Sequence, residues 1–335
     1  MSVNRIIINS KVLVTGGAGF IGSNLCEALL EQGNKVVCLD NLMTGHRKNI
    51  VDFISNKNFT LIEGDIRNYE DCQKAVEGCN YVLHQAALGS VPRSIVDPMT
   101  ATDVNVGGFV KMLFAAKEAK VVRFVYAASS STYGDHPDLP KVEDKIGNPL
   151  SPYAITKFAD ELYAKNFSDI YGIETIGLRY FNVFGRRQDP NGAYAAVIPK
   201  FVMQLMKHES PVINGDGLYS RDFTYIDNVI QANQLAAITP QEKLFNTETK
   251  HEVFNVAFGE RTNLNELIEI LKENLSEFDY NIKDIEIKHG PNREGDIPHS
   301  LASIEKAKKL IVYDPRFSVK EGLDKATRWY WENLK

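Results

Sequence analysis

The 335-residue sequence predicts an α/β fold, with a doubly wound parallel sheet and a smaller C-terminal domain. Three observations lead to this prediction. Short β-branched runs alternate with longer helical patterns through the first half of the chain. A glycine-rich segment joins the first strand pattern to the first helix pattern. After residue 180 the pattern becomes irregular, with loops rich in Gly, Asn, Asp and Pro. We therefore expect one domain over residues 1–180, with later strands contributed from the second half, and a ligand-binding domain over residues 181–335.

Buried strands are expected where short runs are apolar and β-branched, and helices where apolar residues recur at helical spacing. The predicted strands cover residues 11–15, 35–39, 60–63, 81–84, 123–127 and 174–178. The predicted helices cover residues 21–32, 69–76, 97–119 and 151–171. Asp97-Pro98 and Ser151-Pro152 are typical N-cap and first-turn pairs for the last two helices.

Composition and charge argue against several classes of protein. Hydrophobic residues make up 44% and charged residues 24%, which is enough apolar material for a large core. The net charge is −5, so a nucleic-acid partner is not expected. The segment MSVNRIIINSK has no apolar stretch long enough for a signal peptide, and no run of ~18 apolar residues occurs, so neither a signal peptide nor a membrane partner is expected. The four cysteines (Cys26, Cys38, Cys72 and Cys79) form no C-x-x-C motif. This favours free thiols in a soluble, cytoplasmic protein without a metal site.

The segment G-G-A-G-F-I-G lies between the first predicted strand and the first predicted helix. Gly16 permits a tight turn, Gly19 lets the backbone approach a pyrophosphate, and Gly22 lets the helix pack closely on the strand. The phosphates would then lie over the helix N-terminus. This spacing, in this setting, is typical of a Rossmann dinucleotide site.

Asp40 ends the second predicted strand, where an acid can accept hydrogen bonds from the adenosine ribose. The same carboxylate would repel a 2′-phosphate, so NAD is favoured over NADP as the cofactor. Arg47 is an opposing observation, because a nearby arginine can bind that phosphate. Asp65, after the third strand, is a candidate for contact with the adenine, although a turn residue is an almost equally favoured interpretation.

Tyr153 and Lys157 are four residues apart on a predicted helix and therefore share one face. A tyrosine hydroxyl is a poor base at neutral pH. A lysine ammonium nearby favours the phenolate, which can take a proton from a substrate hydroxyl while hydride leaves the same carbon. The serines Ser129, Ser130 and Ser131 follow the fifth strand, at the sheet edge where α/β active sites lie. Together these residues predict a dehydrogenase-type site.

TGGAGFIG, the serine cluster and YAITK resemble the extended short-chain dehydrogenases/reductases, over essentially the whole chain. DNLMTG, HQAALGSVPRS, RYFNVFG, GDGLYSRDFTYIDN and NREGD resemble the UDP-hexose 4-epimerases, most closely those that act on N-acetylated sugars. The resemblance implies reversible, NAD-dependent 4-epimerisation of UDP-N-acetylglucosamine and UDP-N-acetylgalactosamine through a 4-keto sugar. UDP-glucose and UDP-galactose are further candidate substrates. A decarboxylase, a 5-epimerase or a uronic-acid 4-epimerase of the same fold remains the alternative.

The resemblance also implies the roles of individual residues. Tyr153, Lys157, Ser129 and Ser130 would be catalytic, with Ser129 bonded to the reacting 4-hydroxyl, although the choice among serines 129–131 stays open. The residues implied for NAD are Gly16, Gly19, Phe20, Ile21, Gly22, Asp40, Asn41, Thr44, Gly45, Asp65, Ile66, Gln85, Ala86, Ala87, Asn105, Tyr153, Lys157 and Tyr180. Those implied for the UDP-sugar are Gly89, Ser90, Ser94, Ser129, Ser130, Ser131, Tyr153, Asn182, Ala196, Val197, Lys200, Tyr219, Arg221, Arg293, Asp296 and Ser300.

Within the substrate set, the resemblance implies that Arg221 and Arg293 clamp the diphosphate and that Asp296 contacts the uridine ribose. A planar guanidinium suits the first task, because it meets phosphate oxygens in bidentate fashion. Asn182 would contact the phosphates or the sugar.

Three further expectations follow from the same comparison. SSSTYG lacks the Asp-Glu pair with which 4,6-dehydratases expel water, which argues against dehydration. Ser300 stands where epimerases restricted to plain hexoses tend to carry a tyrosine, which favours N-acetylated sugars. A homodimer formed through the helices at 97–119 and 151–171 is implied. However, apolar residues there, such as Val104, Val110, Phe114 and Ala115, could equally belong to the core. A catalytically inactive NAD sensor should lack the tyrosine, lysine or serine, all of which are present.

Overall fold

The computed structural model describes residues 6–190, 196–245, 249–291 and 297–334. The strands are β1 (Lys11–Thr15), β2 (Lys35–Asp40), β3 (Phe59–Glu63), β4 (Tyr81–His84), β5 (Arg123–Ser129), β6 (Thr175–Tyr180), β7 (Val183–Phe184), β8 (Val212–Asn214), β9 (Ser220–Arg221), β10 (Thr224–Tyr225), β11 (His251–Val256), β12 (Thr262–Asn263) and β13 (Lys288–Gly290). Seven of them form a parallel sheet in the order β11-β6-β5-β4-β1-β2-β3. The order reverses at β1, so a crevice is expected between the carboxyl ends of β1 and β4.

The helices are α1 (Phe20–Glu31), α2 (Tyr69–Val76), α3 (Val91–Val96), α4 (Pro98–Thr102), α5 (Phe109–Glu118), α6 (Pro152–Tyr171), α7 (Val197–Met206), α8 (Ile226–Ile238), α9 (Gln241–Leu244), α10 (Leu264–Ser276), α11 (Glu305–Ile311) and α12 (Val319–Asn333). Short, tight helical turns cover Arg47–Asn49, Ser130–Tyr133 and Tyr280–Asp284. Within the described part of the chain, no helix combines the length and the apolar character needed to cross a bilayer.

The strand β1 shows why the sheet is covered on both faces. Val12 and Val14 point into one apolar cluster, and Leu13 points into another on the opposite side. Successive side chains of a strand alternate between faces, so three consecutive buried residues require cover on both. The predicted doubly wound parallel sheet is therefore confirmed.

The helix predicted over residues 97–119 is present from Pro98 to Glu118, but it is not a regular α-helix throughout. Asp97 does cap a helix, because its side chain accepts a hydrogen bond from Thr100 N at 3.0 Å. The cap opens α4, and a widened helical turn over Asp103–Gly108 then connects α4 to α5, with helical dihedral angles at both of its ends. The pair Gly107-Gly108 weakens a regular helix here. A side chain at Gly108 would also lie 2.6 Å from Ile66.

The predicted N-cap of α6 is confirmed, since Ser151 Oγ accepts a hydrogen bond from Ala154 N at 3.1 Å. The helix then runs to Tyr171 and ends on Gly172 in the left-handed conformation (φ 70°). Such an end is common for helices, because glycine adopts this conformation without strain.

The C-terminal third adds one strand to the large sheet and several small two-stranded ladders. β11 pairs with β6 at the sheet edge, and β9 pairs with β12. Beside β9, backbone hydrogen bonds of 3.0 Å join Ser220 to Pro298 and Ser300. The division into domains at residue 180 stays a prediction.

Candidate active site

A cavity of about 360 Å³ opens at the carboxyl ends of β1, β2 and β4, at the point where the strand order reverses. Fourteen of the residues predicted to bind the cofactor line it, together with Gly89 from the predicted substrate set. These fourteen are Gly16, Gly19, Phe20, Ile21, Gly22, Asp40, Asn41, Thr44, Gly45, Asp65, Ile66, Gln85, Ala86 and Ala87. The fold thus brings most of the predicted cofactor set to one place.

The glycine-rich loop forms the cavity floor and leaves no space for side chains at two of its glycines. Gly16 has a φ of +65°, and a Cβ there would lie 2.8 Å from Ala86 N. A Cβ at Gly22 would overlap the carbonyl oxygen of Gly16. Gly19 N donates to that same oxygen at 3.0 Å, and α1 begins at the next residue. The loop therefore presents bare backbone and a helix N-terminus, which fits the pyrophosphate of a dinucleotide.

Asp40 is fixed at the cavity edge by two backbone amides. Its Oδ2 accepts a hydrogen bond from Ala18 N at 2.9 Å, and its Oδ1 accepts one from Leu42 N at 2.8 Å. Each carboxylate oxygen has a further lone pair for a ribose hydroxyl. The guanidinium of Arg47 lies 2.5 Å from Glu63, so the cation that could favour NADP already has an anionic partner.

The side chain of Asp65 is held by its neighbours. Its carboxylate accepts hydrogen bonds from Arg67 at 2.7 Å and from Asn41 at 2.8 Å. The hydrogen bonds from Arg67 lower the pKa of Asp65 to about 2. The contact with adenine that was predicted for Asp65 stays a prediction.

Asn105 and Tyr180, also predicted to bind the cofactor, are not among the residues that line the cavity. The Asn105 side chain accepts a hydrogen bond from Leu88 N at 2.8 Å and donates one to Thr156 Oγ1 at 3.1 Å. The Tyr180 hydroxyl donates to Gln85 Oε1 at 3.1 Å. Both residues form hydrogen bonds to residues that line the cavity, Leu88 and Gln85, and their own contact with a cofactor stays a prediction.

Tyr153 and Lys157 occupy the first two turns of α6, next to the end of β5. Tyr153 N donates to Ser94 Oγ at 3.0 Å, which ties the start of α6 to α3. The buried Lys157 Nζ donates to the Ala127 carbonyl at 3.0 Å and to Asp160 Oδ2 at 3.1 Å. The ammonium is therefore anchored to the strand that carries the serines.

Burial and charge act in opposite directions on Lys157. Burial lowers the pKa of its ammonium, but the Asp160 carboxylate and Tyr153 reverse the effect, and the net pKa of Lys157 is above its usual value. Burial raises the pKa of Asp160 to about 7, and the hydrogen bond from Lys157 limits that rise. A charged lysine next to Tyr153 is the condition that favours a phenolate base.

The serine cluster begins at the last residue of β5. The nearly buried Ser129 Oγ accepts hydrogen bonds from Ser131 N at 3.2 Å and from Ser131 Oγ at 2.9 Å. Its own hydroxyl hydrogen remains free to donate. Ser130 and Ser131 are half-buried and begin the short turn after the strand. The geometry agrees with a donor role for Ser129, while the choice among the three serines stays open.

On the predicted substrate side, the structure brings Arg221 and Ser300 together. Ser300 N donates to Ser220 O at 3.0 Å, and Arg221 Nη1 donates to Pro298 O at 3.2 Å. Asn182, with a φ of +36°, donates from Nδ2 to the carbonyl of Asp222 at 3.0 Å. Arg293 and Asp296 lie outside the described residues.

Asp222, next to Arg221, is completely buried and joins three loops. Its carboxylate accepts backbone hydrogen bonds of 3.1–3.2 Å from Phe258, Gly259 and Ala302. Burial raises the pKa of this carboxyl to about 7, although the backbone hydrogen bonds oppose the rise. The segment that carries Ser300 is thereby tied to the strand that carries Arg221.

The remaining residues of the predicted substrate set are dispersed. Ser90 caps α3, and its Oγ accepts a hydrogen bond from Arg93 N at 3.1 Å. Ala196, Val197 and Lys200 lie at the start of α7, and the half-buried Tyr219 precedes β9. Their contacts with a substrate stay predictions.

Several residues of the site escaped the sequence analysis. Asp160 is one, although its i,i+3 spacing from Lys157 is visible in the sequence. Others line the cavity near the carboxyl ends of strands or, in the case of Val104, from the widened helical turn, and the fold rather than side-chain chemistry brings them there. These are Leu39, Met43, Gly64, Leu88 and Val104.

Comparison with known proteins agrees with this geometry. A family model described as the NAD dependent epimerase/dehydratase family matches residues 12–257. The chain is 39% identical to a UDP-N-acetylglucosamine 4-epimerase from Methanobrevibacter ruminantium M1, solved with UDP-N-acetylmuramic acid. That structure superposes with a TM-score of 0.88 over 97% of this chain and 99% of that one.

Two further solved structures are similar over nearly their whole lengths. A UDP-glucose 4-epimerase from Thermotoga maritima, solved with UDP-glucose, is 34% identical with a TM-score of 0.87, over 97% of this chain and 100% of that one. A UDP-glucuronic acid 4-epimerase from Bacillus cereus, solved with UDP-glucuronic acid and NAD, is 30% identical with a TM-score of 0.85, over 96% and 99%. The sugars named for these three structures differ.

Proposed function

The chain belongs to the NAD dependent epimerase/dehydratase family, and we propose that it catalyses the reversible 4-epimerisation of UDP-N-acetylglucosamine and UDP-N-acetylgalactosamine. One observation carries the proposal of a 4-epimerase. Tyr153 and the charged Lys157 lie at the start of α6, which packs against β5 and the serine turn after it, at the same carboxyl edge of the sheet as the glycine-rich cavity. A base, a cation and a hydroxyl donor are what oxidation of a sugar hydroxyl requires of the protein.

In the proposed reaction, Tyr153 accepts the proton of the substrate 4-hydroxyl while Ser129 holds the oxygen by a hydrogen bond. NAD, when bound, supplies the chemistry of removing a hydride from C4 and returning it, so no net oxidation occurs. After the 4-keto sugar has rotated to present its opposite face, Tyr153 returns the proton to the oxygen on the inverted C4 carbon. Lys157 keeps a positive charge next to Tyr153 in both directions. Asp40 and the amide-lined loop at Gly16 would hold the cofactor.

The nucleotide must stay bound while the sugar rotates, because otherwise the 4-keto sugar would dissociate from the enzyme. We assign this anchor to Arg221, Arg293 and Asp296. The assignment is supported by the position of Arg221, which donates a hydrogen bond to the Pro298 carbonyl in the segment 298–300. The segment that carries Arg293 and Asp296 directly precedes it in the chain.

The test of the proposal is incubation of the purified protein with UDP-N-acetylglucosamine, UDP-glucose and UDP-glucuronic acid, followed by chromatographic separation of the 4-epimers. We expect conversion of the acetylated sugar without accumulation of NADH. Release of CO₂ or water would instead identify a decarboxylase or a dehydratase. Conversion of UDP-glucuronic acid alone would overturn the proposed preference and retain the 4-epimerase.

Ser300 is the residue to which we assign the preference for an N-acetyl group. A serine occupies less volume than a tyrosine, and its hydroxyl can bond the amide. Ser300→Tyr should therefore lower kcat/KM for the acetylated pair by about 10–100-fold relative to UDP-glucose, because overpacking costs about 1–3 kcal/mol. The measurement is kcat/KM for both pairs of sugars.

Ser303→Tyr is the matched control, because Ser303 follows in the same segment and is also half-buried. We expect it to leave the ratio between the two pairs unchanged. If Ser300→Tyr also left that ratio unchanged, Ser300 would not limit the size of the sugar.

We infer that the protein is a homodimer that pairs through α4 and α6. Met99 of α4 is 80% exposed, and Ile155, Leu162 and Ile170 of α6 are each more than half exposed. Because α4 and α6 pack against each other, these side chains can contribute to one apolar surface, which is typical of an interface. The residues first considered for the dimer interface are less suitable, since Val104 and Ala115 are buried in the core.

Sedimentation velocity should give a dimer for the wild type and a monomer for the double variant Met99→Glu/Ile155→Glu. Val122→Glu, at a residue 51% exposed before β5, should leave it a dimer.

A further inference from the structure

Asp160 lies one turn after Lys157 on α6 and is completely buried. Its Oδ2 accepts the hydrogen bond from Lys157 Nζ at 3.1 Å. Its Oδ1 has no hydrogen-bond partner among the described residues. A buried charge is strongly destabilising without a partner, so each member of this pair depends on the other.

The other titratable groups near the pair compensate the charge of Lys157 less than Asp160 does. Glu161 is neutralised by Arg179 of β6, with an ion pair of 2.7 Å. Burial raises the pKa of Tyr126 of β5, and it lowers the pKa of His84 of β4 to about 3, so both are uncharged at neutral pH. Among the described residues, Asp160 is the acid in hydrogen-bond contact with the Lys157 ammonium, and it contributes most to raising the pKa of Lys157.

The geometry also restricts where the ammonium can be. A lysine has three hydrogen-bond donors on Nζ. Two of them are used, by the Ala127 carbonyl at 3.0 Å and by Asp160. These two acceptors come from a strand and a helix that pack directly on each other. Nζ is thus fixed in place, and its third donor remains for other partners.

We propose that Asp160 is a positioning residue that keeps Lys157 charged and in place for the action of Tyr153. This inference rests on the proposed 4-epimerase reaction. Asp160 acts through Lys157 and touches neither sugar nor cofactor in it. Without the carboxylate, burial would favour the neutral amine, and the phenolate of Tyr153 would lose its positive neighbour.

The test is Asp160→Asn, which keeps the size of the side chain and removes its charge. We expect the ascending limb of the kcat pH profile to move to higher pH by about one unit or more, since an opposite charge within about 4–6 Å shifts a pKa by about 1–3 units. Below the limb, kcat should fall by about tenfold per unit of that shift. Ultraviolet difference titration against the corresponding Tyr153→Phe proteins should show the same shift without added substrate or turnover.

Asp169→Asn is the matched control. Asp169 also accepts a hydrogen bond from a lysine of α6, Lys165, at 2.5 Å, but this pair lies at the surface. We expect the control to leave the pH profile and the titration of Tyr153 unchanged. If Asp160→Asn also left both unchanged while the wild type is active, the positioning role would be wrong. A wild type that epimerises no UDP-sugar would instead contradict the proposed function.

A double-mutant cycle separates this role from a general loss of stability. In a Lys157→Met background, Asp160→Asn should reduce kcat no further, because the group through which Asp160 acts is already gone. A further loss equal to that in the wild-type background would show an independent, structural role and overturn the proposal. Thermal unfolding of each protein reports whether it is folded. If Asp160→Asn alone fails to fold, the kcat values of Lys157→Met and Lys157→Met/Asp160→Asn are compared. Equal values support the positioning role, and a further loss in the double variant contradicts it.

Discussion

Tyr153→Phe is expected to lower kcat for 4-epimerisation by at least about 10²–10⁴-fold, the usual contribution of a general acid–base group. The loss falls at the upper end of this range, because the same hydroxyl removes the proton in one half-reaction and returns it in the other. The variant keeps the aromatic ring and the backbone hydrogen bond from Tyr153 N to Ser94 Oγ at 3.0 Å. Folding and binding of the UDP-sugar should therefore be retained.

The measurement is kcat with the acetylated sugar, together with a binding titration of UDP. Tyr163→Phe is the control, because Tyr163 lies on the same helix but its side chain is exposed, with 42% of the residue surface accessible to solvent. It should change kcat by less than about twofold, as surface substitutions away from a site have small effects. If Tyr153→Phe kept more than about a tenth of the wild-type rate, well outside the range for a lost general base, another group would be the base.

The family, the NAD cofactor of that family and the parallel sheet could be predicted from the sequence, because each has a local signature. The glycine spacing from Gly16 to Gly22 reports a backbone constraint that any fold of this type must meet. The structure shows this constraint directly, since a side chain at either glycine would collide with the loop. The caps at Asp97 and Ser151 were equally local, and both were confirmed.

Features that depend on distant contacts could not be predicted in this way. The widened turn at Asp103–Gly108 brings Gly108 so close to Ile66, which is remote in sequence, that a side chain at this glycine would not fit. The ion pair between Arg47 and Glu63, which weakens the case for NADP, joins a short helical turn to the end of β3. Asp160 was visible at i,i+3 from Lys157, but such pairs are common on helix surfaces. Complete burial is what distinguishes it, and burial emerges only in the fold.

Gly22→Ala is expected to abolish tight retention of NAD. The added methyl group would overlap the carbonyl oxygen of Gly16, so either the loop or α1 must move. Forcing extra volume into a packed site costs about 1–3 kcal/mol or more. At the upper end this weakens binding by about two orders of magnitude. The measurement is the nucleotide released on denaturation: the wild type should yield NAD, and the variant little or none. Release of NADP from the wild type would contradict the role of Asp40 and direct attention to Arg47.

Gly107→Ala is the control for Gly22→Ala, because a Cβ at Gly107 meets a single neighbour, the flexible side chain of Asp103, at 3.4 Å. Both changes add one methyl group to a helical glycine, so a general effect of alanine on the helix is shared. Retention of NAD should be lost with Gly22→Ala alone. If Gly22→Ala prevents folding, Gly16→Ala tests the same loop, since its Cβ would lie 2.8 Å from Ala86 N. A full complement of NAD in either folded loop variant would mean that the dinucleotide does not bind over this loop.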